Sequence, residues 1–205
     1  MELKKLDINV HNLQLVSELI YETDKDLFKI FFDKDRDKAL LKLQKIIKAG
    51  NNCYGREHIY VAEDDSGRVM GILTAFRGDE IKFLDEAKVY SDTMGILDFL
   101  KMILVKPIFD RISASKIKGA DFYVGNIAVD PNIRGSGTGT FLLKESFKIA
   151  RDKNCKRMLL DVLFYNMKAR QWYEKHGFKV YGEKRFKWFG LDKGKDGTWG
   201  MEVLL

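Results

Sequence analysis

The residues Arg134-Gly135-Ser136-Gly137-Thr138-Gly139-Thr140 constrain this chain more than any other stretch. They follow the strand-like run Phe122 to Val129 and a turn at Asp130-Pro131, and they lead into an amphipathic helix that starts near Thr138. The order strand, turn, glycine loop, helix sets one local unit of the fold. A glycine-rich loop feeding a helix N-terminus presents unpaired backbone N–H groups and a positive dipole end, which suits an anionic phosphate. No Gly-Lys-Ser/Thr follows four residues after the first glycine, so the loop is not a P-loop. The dinucleotide pattern fails as well, because Thr140 stands where a third glycine belongs after Gly135 and Gly137. An ordinary strand-to-helix loop fits the three glycines equally well.

The rest of the chain supplies the context. Helical spacing recurs through the N-terminal region 1–50, at Leu13, Val16, Leu19 and Ile20, then Leu27, Ile30 and Phe31, then Leu40, Leu43, Ile46 and Ile47. Gly50-Asn51-Asn52 ends it. Strands are expected from Ile59 to Ala62 and from Val69 to Phe76, joined by the turn Asp64-Asp65-Ser66-Gly67. Residues 80–118 read as a helical insertion with the stripe Met94, Leu97, Leu100 and Leu104, ended or kinked at Pro107. A helix from Thr138 to Asp152, a strand from Arg157 to Leu163 and a short helix from Asn166 to His176 follow, the last stopped by Gly177. Strands around Phe178 to Lys187 and Thr198 to Leu204 close the chain. Helices alternate with strands in the second half and hairpins lie at both ends, so the expected fold class is mixed α/β, one domain over 1–205 with helices on both faces of a mixed sheet.

With 45% hydrophobic and 12% aromatic residues, the chain reads as globular rather than disordered. Its net charge of +6 admits an anionic ligand, and nucleic acid is the rival partner. Against nucleic acid, bases and acids interleave, as in Asp33-Lys34-Asp35-Arg36-Asp37-Lys38, the pattern of a solvated helix face. The short basic cluster Lys184-Arg185-Phe186-Lys187-Trp188 has alternate aromatics and reads first as a strand. No apolar run has membrane-spanning length, and the N-terminal Met1-Glu2-Leu3-Lys4-Lys5 has no signal-peptide character, so a cytoplasmic location is expected. Cys53 and Cys155 lack metal-site spacing and are read as reduced thiols. His11, His58 and His176 are dispersed, and no metal is expected.

A second motif begins in the Arg157 to Leu163 strand and runs from Asn166 to Phe178: Asn-x-x-Ala-x-x-x-Tyr-x-x-x-Gly-Phe, filled by Asn166, Ala169, Tyr173, Gly177 and Phe178. Together with Arg-x-x-Gly-x-Gly upstream, it resembles the two signatures of the GNAT superfamily of N-acetyltransferases. The resemblance covers roughly residues 120–180, which would then be the acetyl-CoA-binding core. It implies a twisted sheet of about six to seven strands whose central parallel pair, Phe122 to Val129 and Arg157 to Leu163, splays apart. Acetyl-CoA, as cosubstrate, would lie in that cleft, where open sheets bind ligands at strand carboxyl ends.

The same resemblance assigns roles. Backbone groups of Ile127, Ala128 and Val129 would pair with the pantetheine arm, and the N–H groups of Arg134, Gly135, Ser136, Gly137, Thr138, Gly139 and Thr140 would hold the pyrophosphate. Tyr173 would protonate the departing thiolate, its unperturbed pKa near 10 being close to that of a thiol. Asn166, about 10.5 Å from Tyr173 along one helix face, would lie near the pantetheine arm. The Val129 N–H would stabilise the oxyanion. Many relatives carry a glutamate where this chain has Asn126, and an asparagine cannot act as base. Asp161 is the expected base or amine anchor, with a structural carboxylate or a water chain as alternatives.

The expected activity is direct transfer of an acetyl group to a small-molecule or peptide amine, without nucleic acid or membrane as partner, and with a homodimer left open. A CoA-binding sensor without turnover is the alternative. Phe186, Trp188 and Phe189 are read either as acceptor-pocket wall or as core.

Overall fold

A computed structural model describes residues 1–96, 98–100, 115–185 and 197–205. Its organising element is one seven-stranded sheet in the order β1-β2-β3-β4-β5-β7-β6. The strands are β1 (Glu2–Lys5), β2 (Ile59–Glu63), β3 (Val69–Arg77), β4 (Asp121–Val129), β5 (Arg157–Leu163), β6 (Lys179–Arg185) and β7 (Gly197–Leu204). Neighbouring strands run antiparallel except β4 and β5, which are parallel. A parallel pair needs a long crossover, and α5 (Thr138–Asp152) supplies it.

Helices cover both faces, as the alternation of elements implies. On one face α1 (Leu13–Thr23) and α3 (Arg36–Ala49) bury Val16, Leu19, Ile20, Leu40, Leu43 and Ile46 against Ile59, Val61 and Ile72, with α2 (Lys25–Phe31) and α4 (Phe83–Thr93) packed beside them. On the other face α5 and α6 (Met167–Lys175) pack against Leu73, Ala75, Phe122, Val124, Leu160 and Val162. The first three helices start on side-chain caps: Asn12 accepts from the Leu15 N–H, Asp24 from Leu27, and Asp35 from Asp37 and Lys38.

The N-terminal region is not wholly helical. Glu2–Lys5 pairs with β2 as an edge strand, with Lys4 Nζ 2.9 Å from the Glu63 carboxylate. Four mostly charged residues carry no period-2 pattern, so only the neighbouring strand makes them a strand. Within the insertion, α4 ends at Thr93, residues 96 and 98–100 are again helical, and residues 115–118 form no regular element. Leu97, Leu104, Pro107, Phe186, Trp188 and Phe189 lie outside the described residues. Among the described residues no helix is long and apolar enough to cross a membrane.

One irregularity shapes the centre of the sheet. Thr74 pairs with Asn126, but Ala75 pairs with Val124, so Gly125 is an extra residue in β4. A Cβ on Gly125 would stand 2.8 Å from Thr74 Oγ1, so a larger residue would have to displace the Thr74 side chain. The bulge resets the side-chain alternation. Phe122 and Val124 point to the α5 and α6 face, whereas Ala128 joins the α1 face, two residues beyond Asn126.

Candidate active site

The parallel ladder begins at Asp121 with Arg157 and ends at Val124 with Leu160. Beyond that point β4 stays paired with β3 as far as Val129, and β5 stays paired with β7 as far as Leu163. The two strands therefore part, leaving Gly125–Val129 without ladder partners on the side of β5. Ile127, Ala128 and Val129 all lie on this open stretch. At the closed end, Arg157 grips Asp121 through Nε at 2.7 Å and Nη2 at 3.0 Å.

The glycine loop stands at the end of β4. Arg68 Nη2 donates to Asp130 Oδ2 at 2.8 Å, and Asp130 Oδ1 accepts from the Asn132 N–H, which holds the turn. Gly135 and Gly137 have φ of +87°, a region that side chains with a Cβ rarely enter. Gly137 occupies the N-cap position of α5, and no side chain caps that helix. Phe141 is the first residue whose N–H reaches back, to Gly137 O at 2.9 Å. The N–H groups of Thr138, Gly139 and Thr140 thus have no intrahelical partner. Ser136 Oγ and Thr138 Oγ1 are 2.8 Å apart beside them, and Arg134 is exposed.

Gly139 shows what this end of the helix faces. A Cβ built there would meet Val129 Cγ2 at 3.7 Å and Trp172 Cζ2 at 3.8 Å, both ordinary contacts. Neither its φ nor its neighbours demand glycine. The contacts also bring the end of β4, the start of α5 and the middle of α6 to one place.

Asn166 and Tyr173 divide their tasks. The Asn166 side chain caps α6, accepting from the Ala169 N–H at 3.2 Å. Tyr173 is half-buried, its ring 4.8 Å from that of Trp172 and 5.4 Å from that of Phe178. Its hydroxyl makes no hydrogen bond to the described residues. Burial alone pushes its pKa well above the usual tyrosine value, so the group remains a proton carrier at neutral pH.

Asp161 lies one residue beyond the last β4–β5 pair. Its neighbours Leu160 and Val162 belong to the α5 and α6 side, so alternation turns Asp161 to the α1 face, opposite Tyr173. Protein donors hold both of its oxygens. Ser115 gives its N–H (3.1 Å) and Oγ (2.9 Å) to Oδ1, and Tyr123 OH donates to Oδ2 at 3.2 Å. Burial first, then the Asp161 charge, raise the Tyr123 pKa well above the ordinary value, as befits a donor to a carboxylate.

Asn126 is held between two threonines. Thr74 Oγ1 donates to its Oδ1 at 2.8 Å, and its Nδ2 donates to Thr23 Oγ1 at 2.7 Å. The C-terminus of α1 is thereby fixed over the open part of β4. Sequence spacing gave no sign of this link, which sets Thr23, and with it Asp24 next along the chain, beside the open part of β4. Among the described residues no group of three His, Cys, Asp or Glu side chains gathers as metal ligands would.

Comparison with known proteins bears on the family and the fold. The family described as acetyltransferase (GNAT) matches residues 18–178. A thialysine N-ε-acetyltransferase of Bos taurus is 37% identical over 65 residues, covering 32% of this chain and 38% of that protein. A glucosamine 6-phosphate N-acetyltransferase of Trypanosoma brucei brucei is 34% identical over 79 residues, covering 38% of this chain and 48% of that protein. The chain thus matches less than half the length of either curated relative. A solved N-acetyltransferase structure from Staphylococcus aureus Mu50 superposes with a TM-score of 0.71 at 18% identity, covering 99% of this chain and 100% of that one. At that identity the likeness concerns the fold.

Proposed function

The chain belongs to the acetyltransferase (GNAT) family, and from that premise we propose that it transfers the acetyl group of acetyl-CoA directly to a primary amine in a ternary complex. One observation carries the reading: β4 and β5 part beyond Val124 and Leu160, and an uncapped helix N-terminus stands at the mouth of the gap.

The residues present suit CoA. The open edge of β4 offers the backbone groups of Ile127 and Val129 to the pantetheine amides, while Ala128 between them is paired with Ile72 of β3. The N–H groups of Thr138, Gly139 and Thr140 face a diphosphate, whereas the Ser136 N–H is bound to Ile133 O at 3.2 Å; Arg134 adds positive charge, and the bare Gly139 lets the anion approach the helix end. Acetyl-CoA, when bound, supplies the thioester. The Val129 N–H stabilises the oxyanion formed there, and the Tyr173 hydroxyl delivers a proton to the leaving thiolate. Asn166 acts by starting α6 and so placing Tyr173. Asp161, held by Ser115 and Tyr123, is a fixed negative charge at the fork of the strands, where it favours an approaching ammonium.

Asn126 favours a second reading, a CoA-binding module without turnover, because its amide is held between Thr23 and Thr74 and offers no base. Two measurements separate the readings. Acetyl-CoA should raise the melting temperature by several degrees, and free thiol should appear with at least one amine from a panel containing thialysine, glucosamine 6-phosphate and a peptide with a free N-terminus. Stabilisation without thiol release supports the silent module. No stabilisation at saturating acetyl-CoA sinks both readings.

A further inference from the structure

Asp24 is the one residue between α1 and α2. Thr23, its neighbour, accepts the hydrogen bond from Asn126 that pins α1 over the open part of β4. Asp24 Oδ1 accepts from the Leu27 N–H at 3.1 Å. Among the described residues its second oxygen has no hydrogen bond, and no cation pairs with it. Lys25, adjacent in sequence, pairs with Glu22 at 2.6 Å instead. A half-buried carboxylate with an open oxygen is unusual in a chain of net charge +6.

The surroundings of Asp24 point across the cleft. Tyr165, at the end of β5, is pushed up to about 12 by burial first and then by the Asp24 and Asp26 charges. Tyr54, which follows α3, is raised by burial, with Cys53, Asp24 and Glu86 adding to it. Among the described residues, the charged or titratable groups that act on Asp24 or feel its charge are Asp26 on α2, Tyr54, and Tyr165 between β5 and α6, none of them basic. Burial raises its own carboxyl to about 6. Asp161 differs in that protein donors hold both its oxygens.

Building on the acetyl-transfer reading, we propose that Asp24 is the carboxylate that receives the acceptor's ammonium group and takes its first proton. The ammonium gives one proton to the open oxygen of Asp24, which passes it to solvent. The freed nitrogen lone pair forms the C–N bond at the thioester carbon, and collapse of the tetrahedral species breaks the C–S bond. The second proton leaves nitrogen and ends on the thiolate by way of the Tyr173 hydroxyl. The site accordingly selects acceptors that arrive as primary ammonium ions.

Asp24→Asn isolates the charge, because asparagine caps α2 equally well; Asp24→Ser is the second capping variant. The probe is n-butylamine, a primary ammonium with no other recognition group. In the wild type, kcat/KM should fall as pH drops through about 6. Both variants should lose that acid limb and about 100-fold in kcat/KM, with acetyl-CoA affinity by calorimetry within twofold of wild type. Variants within threefold of wild type and with the same acid limb overturn the proposal. Absence of acetyl-CoA binding and of transfer in the wild type instead overturns the acetyl-transfer reading. The Asp24 contact is then read separately by ¹³C carboxyl NMR: n-butylamine should lower the apparent pKa of Asp24, and an unchanged titration refutes its role.

Discussion

Asn126 Nδ2 donates to Thr23 Oγ1 across 2.7 Å, tying the strand that forms one wall of the cleft to the last turn of α1. Thr23→Val keeps the shape but leaves the amide without its acceptor. The expected cost is about 1–2 kcal/mol in urea unfolding. The proposed site puts α1 on the acceptor side, away from the glycine loop, so the KM for the amine should rise with acetyl-CoA affinity unchanged. Equal rises in KM for both substrates would contradict this division.

Tyr173→Phe removes one hydroxyl from a ring that packs on Trp172 and Phe178. Folding should be preserved and acetyl-CoA affinity should stay within twofold. Turnover should fall about 100-fold if the hydroxyl carries the proton to the thiolate. A variant as active as wild type would remove Tyr173 from that role.

Gly137 and Gly139 should respond differently to alanine. At Gly137, with φ of +87°, a Cβ strains the backbone, and stability should drop by about 1 kcal/mol along with CoA binding. At Gly139 the new methyl makes only ordinary contacts with Val129 and Trp172, and alanine suits a helix better than glycine. Gly139→Ala should therefore melt no lower than wild type yet bind acetyl-CoA at least about tenfold more weakly, a difference of roughly 1.4 kcal/mol. Unchanged affinity by calorimetry would place the diphosphate elsewhere.

Asp24 also makes a prediction about stability. Burial raises its carboxyl from the ordinary 3.8 to about 6, so the folded chain holds the proton more tightly than the unfolded one. Its contribution is greatest below pH 4 and is lost as pH rises from about 4 to 6. Asp24→Asn should match wild type in urea unfolding at pH 4 and exceed it at pH 7.5, by up to about 3 kcal/mol. A variant less stable at both pH values would show that the carboxylate is a structural support.

Asp121 carries the opposite sign. Burial would raise its carboxyl, but Arg157 and the Lys118 N–H outweigh that and hold it below the usual range. Its stabilisation is present above about pH 4 and disappears as pH falls through its lowered pKa. Asp121→Asn should cost about 3 kcal/mol at neutral pH by leaving Arg157 poorly paired. The gap from wild type should narrow below pH 4 in the same unfolding assay.

The parts of this protein that were readable along the chain are those whose causes are local. Gly135 and Gly137 mark the loop that opens α5, and Asn166 with Gly177 bracket a helix that the structure places at Met167–Lys175. The hairpin of β2 and β3 followed from apolar runs and the Asp64–Gly67 turn. What failed was equally physical. Glu2–Lys5 becomes a strand only through its bonds to β2. Asn126 looked like a missing base, but its partners Thr74 and Thr23 lie 52 and 103 residues away along the chain. Asp161 looked like an open carboxylate until Ser115 and Tyr123 were seen to hold it.

The sequence alone determined the glycine loop, the helix it opens and the signature that contains Tyr173 and ends in Phe178, because turn chemistry and helical periodicity act over a few residues. Only the tertiary structure decided that the β4–β5 ladder stops at Val124 and Leu160, that Asp161 and Tyr173 face opposite sides of the sheet, and that one oxygen of Asp24 has no hydrogen bond among the described residues. Those outcomes rest on strand pairing, on the Gly125 bulge and on burial. Each is set by groups far apart in the chain that meet only when it folds.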